Sequence, residues 1–210
     1  MSLPPLAPHA SRPSRWRPLI YAVLAAWLVV TVALGAILLA RHELAMPVPP
    51  KTDPVLAAAV VARADAEAWT AIHVLYPVCP CARRIVARLK ARTLVPGVRE
   101  RVVLVAATPD PTLAGDLAAR GFVVEHVLPA ELGRRWHIEA TPLLIVAAPG
   151  GEPRYVGGYA RRKQGPAVED TEIIAAMRAA ASHQTLPVFG CATSRRLARA
   201  VDPLDFASWR

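Results

Sequence analysis

Cys79-Pro80-Cys81 places two thiols one residue apart, and the 210-residue chain has only one further cysteine, Cys191. Thiols concentrated in this way support two chemistries: thiol–disulfide exchange, and coordination of a soft ion such as Cu(I). A disulfide between Cys79 and Cys81 would close a very short ring, stiffened by proline. Short rings depart from relaxed geometry and are readily reduced, so such a bond reads as catalytic rather than structural.

The flanking residues indicate how the thiols are held. Ala71-Ile72-His73-Val74-Leu75-Tyr76 is apolar and rich in β-formers, whereas Arg83 to Lys90 has helical spacing. With Cys79 as the N-cap, Pro80 takes the first helical position, where its missing N–H costs nothing. Cys81 then falls in the first turn and shares a face with Ile85 and Leu89. That face is apolar and turns toward a sheet, so Cys79 is expected to be the more exposed sulfur. Cys79 is accordingly the expected attacking thiolate, favoured by the helix N-terminus, and Cys81 the expected resolving thiol. Arg83 and Arg84 read as a solvated helix face.

Cys191 follows Pro187-Val188-Phe189-Gly190 and precedes a predicted helix, Thr193–Val201. If Leu186, Val188 and Phe189 pack back on the domain, Cys191 reaches the Cys-Pro-Cys corner as a resolving thiol or third ligand. Otherwise it is an isolated thiol, and both readings stay open here. His73 reads as a satisfied strand histidine rather than a ligand. His126, His137 and His183 have no diagnostic spacing. Phosphate-binding loops, zinc-protease helices, nucleophile elbows and paired carboxylates are absent from the sequence.

Leu19 to Ala40 is a run of 22 residues without a charge, enough for a helix to cross roughly 30 Å of hydrocarbon. Trp16 and Tyr21 lie near its start. Arg12, Arg15 and Arg17 precede it, and Arg41 beside Glu43 follows it, so the positive-inside rule keeps the N-terminus cytoplasmic and exports the rest. The apolar run exceeds the core of a cleaved signal peptide and no A-x-A site follows, which favours an uncleaved anchor. In either case the cysteines lie where disulfides persist. The formal charge of +9 is scattered along the chain without an aromatic-and-basic pattern or recognition motif, so no nucleic-acid partner is expected.

Four prolines, Pro47, Pro49, Pro50 and Pro54, in the stretch from Met46 to Pro54 predict a semi-rigid spacer. Asp53-Pro54 then opens a predicted helix over 55–69. Strands are predicted over 71–75, 101–107, 122–127, 142–148 and 154–159, and helices over 80–92, 109–121, 129–136 and 168–181. Pro149-Gly150-Gly151-Glu152 marks a hairpin turn. This order predicts an α/β fold with a mixed sheet covered by helices.

The strand, the cysteine corner and its helix, then Ala140-Thr141-Pro142-Leu143-Leu144-Ile145, then a hairpin with Gly157-Gly158 and a last helix, resemble the thioredoxin superfamily over Val55 to Ser182. The resemblance implies a thioredoxin-like mixed β-sheet flanked by helices, and a cis Thr141–Pro142 bond facing the cysteines, with Pro80, Thr141 and Pro142 in structural roles. More narrowly, Val78-Cys79-Pro80-Cys81-Ala82 and Val188-Phe189-Gly190-Cys191 resemble membrane-anchored, TlpA-related proteins of the RedB kind. That likeness implies a part in cytochrome c biogenesis or in extracytoplasmic thiol redox. Ordinary thioredoxins have two residues between the cysteines and an aromatic before the first. Here there is one residue, preceded by Val78, so potential and mechanism do not transfer. Residues Ala160 to Asp170 match no pattern.

The expected organisation is a cytoplasmic N-terminus (1–18), a transmembrane helix (19–40), a Pro-rich linker (41–54), a thioredoxin-like domain (55–185) and a cysteine-containing tail (186–210). The expected function is a single-pass thiol–disulfide oxidoreductase of the cytoplasmic membrane, facing the periplasm or another extracytoplasmic space. Cys79, Cys81 and Cys191 are its catalytic residues, it needs no cofactor, and its partners are protein thiols or disulfides and a redox partner. The alternative is a Cu(I) chaperone for metalloprotein assembly, with Cys79, Cys81 and Cys191 or His73 as ligands. A non-catalytic assembly domain is a third reading, which the intact Cys-Pro-Cys disfavours.

Overall fold

The computed structural model describes residues 16–163, 165 and 167–201. The expected cytoplasmic segment therefore lies almost wholly outside the described residues, as does the end of the tail. The chain divides into two compact units, Met1–His42 and Glu43–Arg210. The first is built on α1 (Arg17–Glu43), which contains a 22-residue stretch, Arg17–Leu38, long and apolar enough to cross a membrane.

In the second unit, α2 (Pro54–Val61) starts as its sequence dictates. Asp53 Oδ1 accepts hydrogen bonds from the Val55 and Leu56 amides at 2.9 Å, and Pro54 takes the first helical position. The helix stops well short of Trp69. Asp65 makes a side-chain turn instead, its Oδ1 accepting from the Glu67 and Ala68 amides at 2.9 and 3.0 Å. This turn frees Trp69 to begin β1 (Trp69–Leu75).

The chain continues through α3 (Pro80–Ala91), β2 (Val98–Val105), α4 (Pro111–Ala118), β3 (Val123–Val127) and α5 (Pro129–Trp136). Then come β4 (Ala140–Thr141), β5 (Leu143–Ala147), β6 (Pro153–Gly157), α6 (Asp170–Arg178), β7 (Cys191–Ala192) and α7 (Arg195–Val201). The main sheet has the order β3-β2-β1-β5-β6. β1 pairs in parallel with β2, and β2 with β3, while β1–β5 and β5–β6 are antiparallel. Gly150 and Gly151 turn the β5–β6 hairpin at φ +83° and +93°, conformations that glycine adopts without steric cost. The result is a thioredoxin-like fold, a mixed sheet flanked by helices.

The middle of the sheet is covered on both faces, which is why β5 and the end of β2 read as unbroken apolar runs, whereas β3 at one edge is largely exposed and carries Glu125 and His126. Ala71, Leu75, Val102, Leu104, Leu144 and Val146 pack with Ile85 and Leu89 of α3 and Ile173 and Ile174 of α6. Ile72, Val74, Val103, Val105, Leu143 and Ile145 pack on the other side with Leu56 and Val60 of α2 and Leu132 and Trp136 of α5.

The Pro-rich segment and the tail belong to this unit. The Met46 amide donates to the Val188 carbonyl at 2.7 Å, and Met46 and Val48 pack against the α2–α5 side of the core. The residues expected as a spacer are therefore bound to the domain from Met46 onward. Leu186 and Val188 are buried, one in each core, and the Gly158 amide donates to the Leu186 carbonyl at 2.8 Å.

Candidate active site

Cys79 is the N-cap of α3, in extended backbone conformation, and Pro80 is its first helical residue. The Cys79 amide donates to the Tyr76 carbonyl at 2.9 Å, and the Arg83 amide donates to the Cys79 carbonyl at 3.0 Å. A short turn, Tyr76 to Cys79, joins the helix to β1, the central strand of the sheet.

The tail supplies the second sulfur. Two antiparallel pairs, Ala140 with Ala192 and Thr141 with Cys191, hold β7 against β4. The pairing is locked beyond the strand. The Thr193 amide donates to the Glu139 carbonyl at 2.7 Å, and Ser194 Oγ donates to Glu139 Oε1 at 2.9 Å. Arg196 forms an ion pair with the same carboxylate, and its guanidinium lowers the Glu139 pKa. With the tail so placed, Cys79 and Cys191, 112 residues apart in sequence, are joined in a disulfide with a Cα–Cα distance of 6.0 Å. Cys81 is the free cysteine.

The relative exposure of the two corner sulfurs is the reverse of the expected order. Cys79 is 1% exposed, because the tail lies over it, whereas Cys81 is half-buried. Ile85 and Leu89 do face the core, but Cys81, one turn nearer the helix start, opens onto a cleft. Pro142, Tyr159, Arg84, Arg162 and Phe189 line that cleft with it. The Thr141–Pro142 bond is cis. Arg84 is not a freely solvated group, since its guanidinium donates to the Gly165 carbonyl, whereas Arg83 is exposed.

Beneath the site lies a buried polar network that the sequence did not announce. His73, fully buried in β1, has Nε2 3.1 Å from Glu100 Oε2 and Nδ1 3.0 Å from the Tyr159 hydroxyl. Glu100 also accepts from Arg92, and from the Val95 amide at 2.6 Å. Arg92 donates in turn to Asp170 at 2.8 Å, and Arg88 donates to Asp170 at 3.0 Å. Burial pushes the Glu100 carboxyl up, but the His73 and Arg92 hydrogen bonds outweigh it and hold the group down at about 2. Glu100 is then an ionised acceptor, so Nε2 of His73 carries the hydrogen between them. Burial pushes the Tyr159 hydroxyl well above its usual range, which keeps it neutral. His73 is the satisfied histidine the sequence predicted. Glu100 comes from β2, Asp170 from α6, Arg92 from the C-terminal cap of α3 and Tyr159 from the loop after β6, and no spacing in the sequence links them.

Both ring nitrogens of His73 are engaged, so it is not a spare donor for the corner. Among the described residues, no three His, Cys, Asp or Glu side chains converge as a metal site.

No family model and no curated protein sequence matches the chain. Some solved structures align with part of it at low identity. An uncharacterised conserved protein from Geobacillus kaustophilus aligns at TM-score 0.49 and 16% identity, over 73% of this chain and 91% of that one. A putative thioredoxin from Neisseria meningitidis aligns at TM-score 0.39 and 13% identity, over 66% and 89%. A secreted Mycobacterium tuberculosis disulfide oxidoreductase, described as homologous to E. coli DsbE, aligns at TM-score 0.39 and 13% identity, over 56% and 85%.

Proposed function

We propose that the protein is a membrane-anchored, extracytoplasmic thiol–disulfide oxidoreductase in which Cys79 is the sulfur that exchanges with substrate. The observation that carries this reading is the placement of three sulfurs. Cys79 stands at the N-terminus of α3 bonded to Cys191, with the free Cys81 two residues away. A helix N-terminus favours the thiolate over the thiol, and the thiolate is the nucleophile.

In the reduced protein the Cys79 thiolate attacks one sulfur of a substrate disulfide. A Cys79–substrate disulfide forms, and the second substrate sulfur leaves as a thiolate. Cys191 or Cys81 then attacks Cys79 Sγ and releases the remaining substrate thiolate. Two electrons pass to the substrate and the protein is left with one disulfide. The Cys79–Cys191 bond is the product of resolution by Cys191. The reverse sequence oxidises a substrate dithiol, and the potential of the redox partner sets the direction. The buried Tyr159–His73–Glu100 network supports the site as a rigid floor.

The resemblance to RedB-like proteins is the ground for proposing cytochrome c biogenesis as the setting. The Cu(I) alternative requires a third donor beside Cys79 and Cys81. Cys191 would have to supply it from the reduced state, and no observation favours it over exchange.

Turnover of a protein disulfide by the full-length chain in detergent micelles tests the reading. Cys79→Ser is expected to fall to the uncatalysed rate, and retained turnover would overturn it. The proposed topology rests on Arg12, Arg15 and Arg17 before the apolar run. A reporter active only outside the cytoplasm, fused after Arg210, is expected to work, and activity of a cytoplasm-only reporter would reverse the orientation.

A further inference from the structure

We infer that the edge of β4 is a docking site for an extended substrate segment in which glycine directly precedes the reacting cysteine, and that the tail is a tethered stand-in for that segment. The inference rests on the exchange reading above and adds the substrate class.

Cys79 is 1% exposed and bonded to Cys191 of the tail, so a substrate sulfur that bonds Cys79 in place of Cys191 takes the position the tail now holds. That position is an antiparallel pairing with the backbone of Ala140 and Thr141. Strand addition of this kind takes affinity from main-chain hydrogen bonds and selectivity from the side chains beside them. Here the selective position is the residue before the cysteine. A Cβ on Gly190 would overlap the Thr141 carbonyl oxygen and would come within 2.6 Å of Pro142 Cδ. Both obstacles belong to the Thr141-Pro142 pair, which is buried, so neither is the far end of a flexible side chain. The residue before that, Phe189, lies on the wall of the cleft that contains Cys81, Pro142 and Tyr159. The pattern Phe-Gly-Cys therefore describes what the edge accepts, and a protein segment with an apolar residue, glycine and cysteine in that order is the substrate class.

The tail occupies the edge when Cys79 and Cys191 are bonded, and it leaves by a redox-neutral exchange. The Cys81 thiolate attacks Cys79 Sγ, a Cys79–Cys81 bond forms, and Cys191 departs as the thiolate. No outside oxidant or reductant is consumed.

The test uses the full-length chain carrying Cys81→Ser and Cys191→Ser in detergent micelles, so that Cys79 is the one thiol. Two peptides are compared, Pro-Val-Phe-Gly-Cys-Ala-Thr and the same sequence with alanine in place of glycine. Each has its cysteine activated as a mixed disulfide with nitrothiobenzoate, and release of that group reports attack by Cys79. The glycine peptide is expected to react about tenfold faster or more, the scale set by overpacking a rigid contact. Equal rates, with Cys79 still reactive toward the small symmetrical disulfide of nitrothiobenzoate, would overturn the docking inference and leave the exchange reading standing. Failure of Cys79 to react even with that small disulfide would overturn both. A second measurement needs no peptide. In a glutathione buffer, Gly190→Ala is expected to shift the Cys79–Cys191 equilibrium about tenfold toward the dithiol, and an unchanged equilibrium would contradict the inference.

Discussion

Thr141 and Cys191 are directly opposed partners in the antiparallel pair β4–β7. The residue that precedes the cis proline is thus the residue that aligns the tail sulfur with Cys79. The disulfide is held by strand pairing on one side and by the start of α3 on the other, and Cys81 remains as the third, unbonded sulfur of the set.

The first consequence is a labelling pattern. Oxidised, natively folded protein treated with an alkylating reagent should gain one adduct, on Cys81, and a digest without reductant should contain a peptide cross-linked from Cys79 to Cys191. A cross-link from Cys81 to Cys191, or a digest that lacks the Cys79–Cys191 peptide, would contradict the pairing.

Removing the charge at Glu100 should be costly. Glu100→Gln leaves Arg92 without one of its two buried carboxylate partners and should lower stability by about 3 kcal/mol in a denaturant titration. The pH dependence follows from the same group. Its folded pKa, about 2, lies below its ordinary value of 4.5, so its contribution is full above pH 4.5 and is lost as the pH falls through 2. The difference between wild type and Glu100→Gln should shrink across that interval, and a constant difference would contradict the network.

How much of this was legible in the sequence depended on the range of the interaction. The Cys79 N-cap and the Asp53 N-cap were readable because each is followed by proline, a local signal. The central strands were readable because burial on both faces writes continuous apolar runs, as in Leu143–Ala147. The end of α2 was misread because Asp65 turns the chain through side-chain hydrogen bonds rather than through glycine or proline. The exposure of Cys79 was misread because the cover comes from residues more than a hundred positions away. The same distance hid the pairing with Cys191, which the sequence left open. His73 had to be satisfied by something, but Glu100 and Tyr159, 27 and 86 residues distant, are neighbours only in the folded chain.

The tail should be sensitive to a single methyl group at its base. A Cβ on Gly158 would overlap the Pro187 carbonyl oxygen and lie 3.2 Å from Val188 Cα. Gly158→Ala should therefore displace the tail, lower stability by about 1–3 kcal/mol, and make the Cys79–Cys191 bond easier to reduce. A variant with unchanged stability and unchanged reduction would show that the tail packs less tightly than its contacts indicate.

The central claim, that Cys79 is the sulfur that exchanges with substrate, is tested most directly by a single-turnover trap. Reduced full-length protein carrying Cys81→Ser and Cys191→Ser is mixed with a protein disulfide, quenched in acid and mapped by mass spectrometry. The account predicts a stable mixed disulfide on Cys79 with one substrate thiol released. Substrate that stays oxidised with Cys79 unmodified would contradict it.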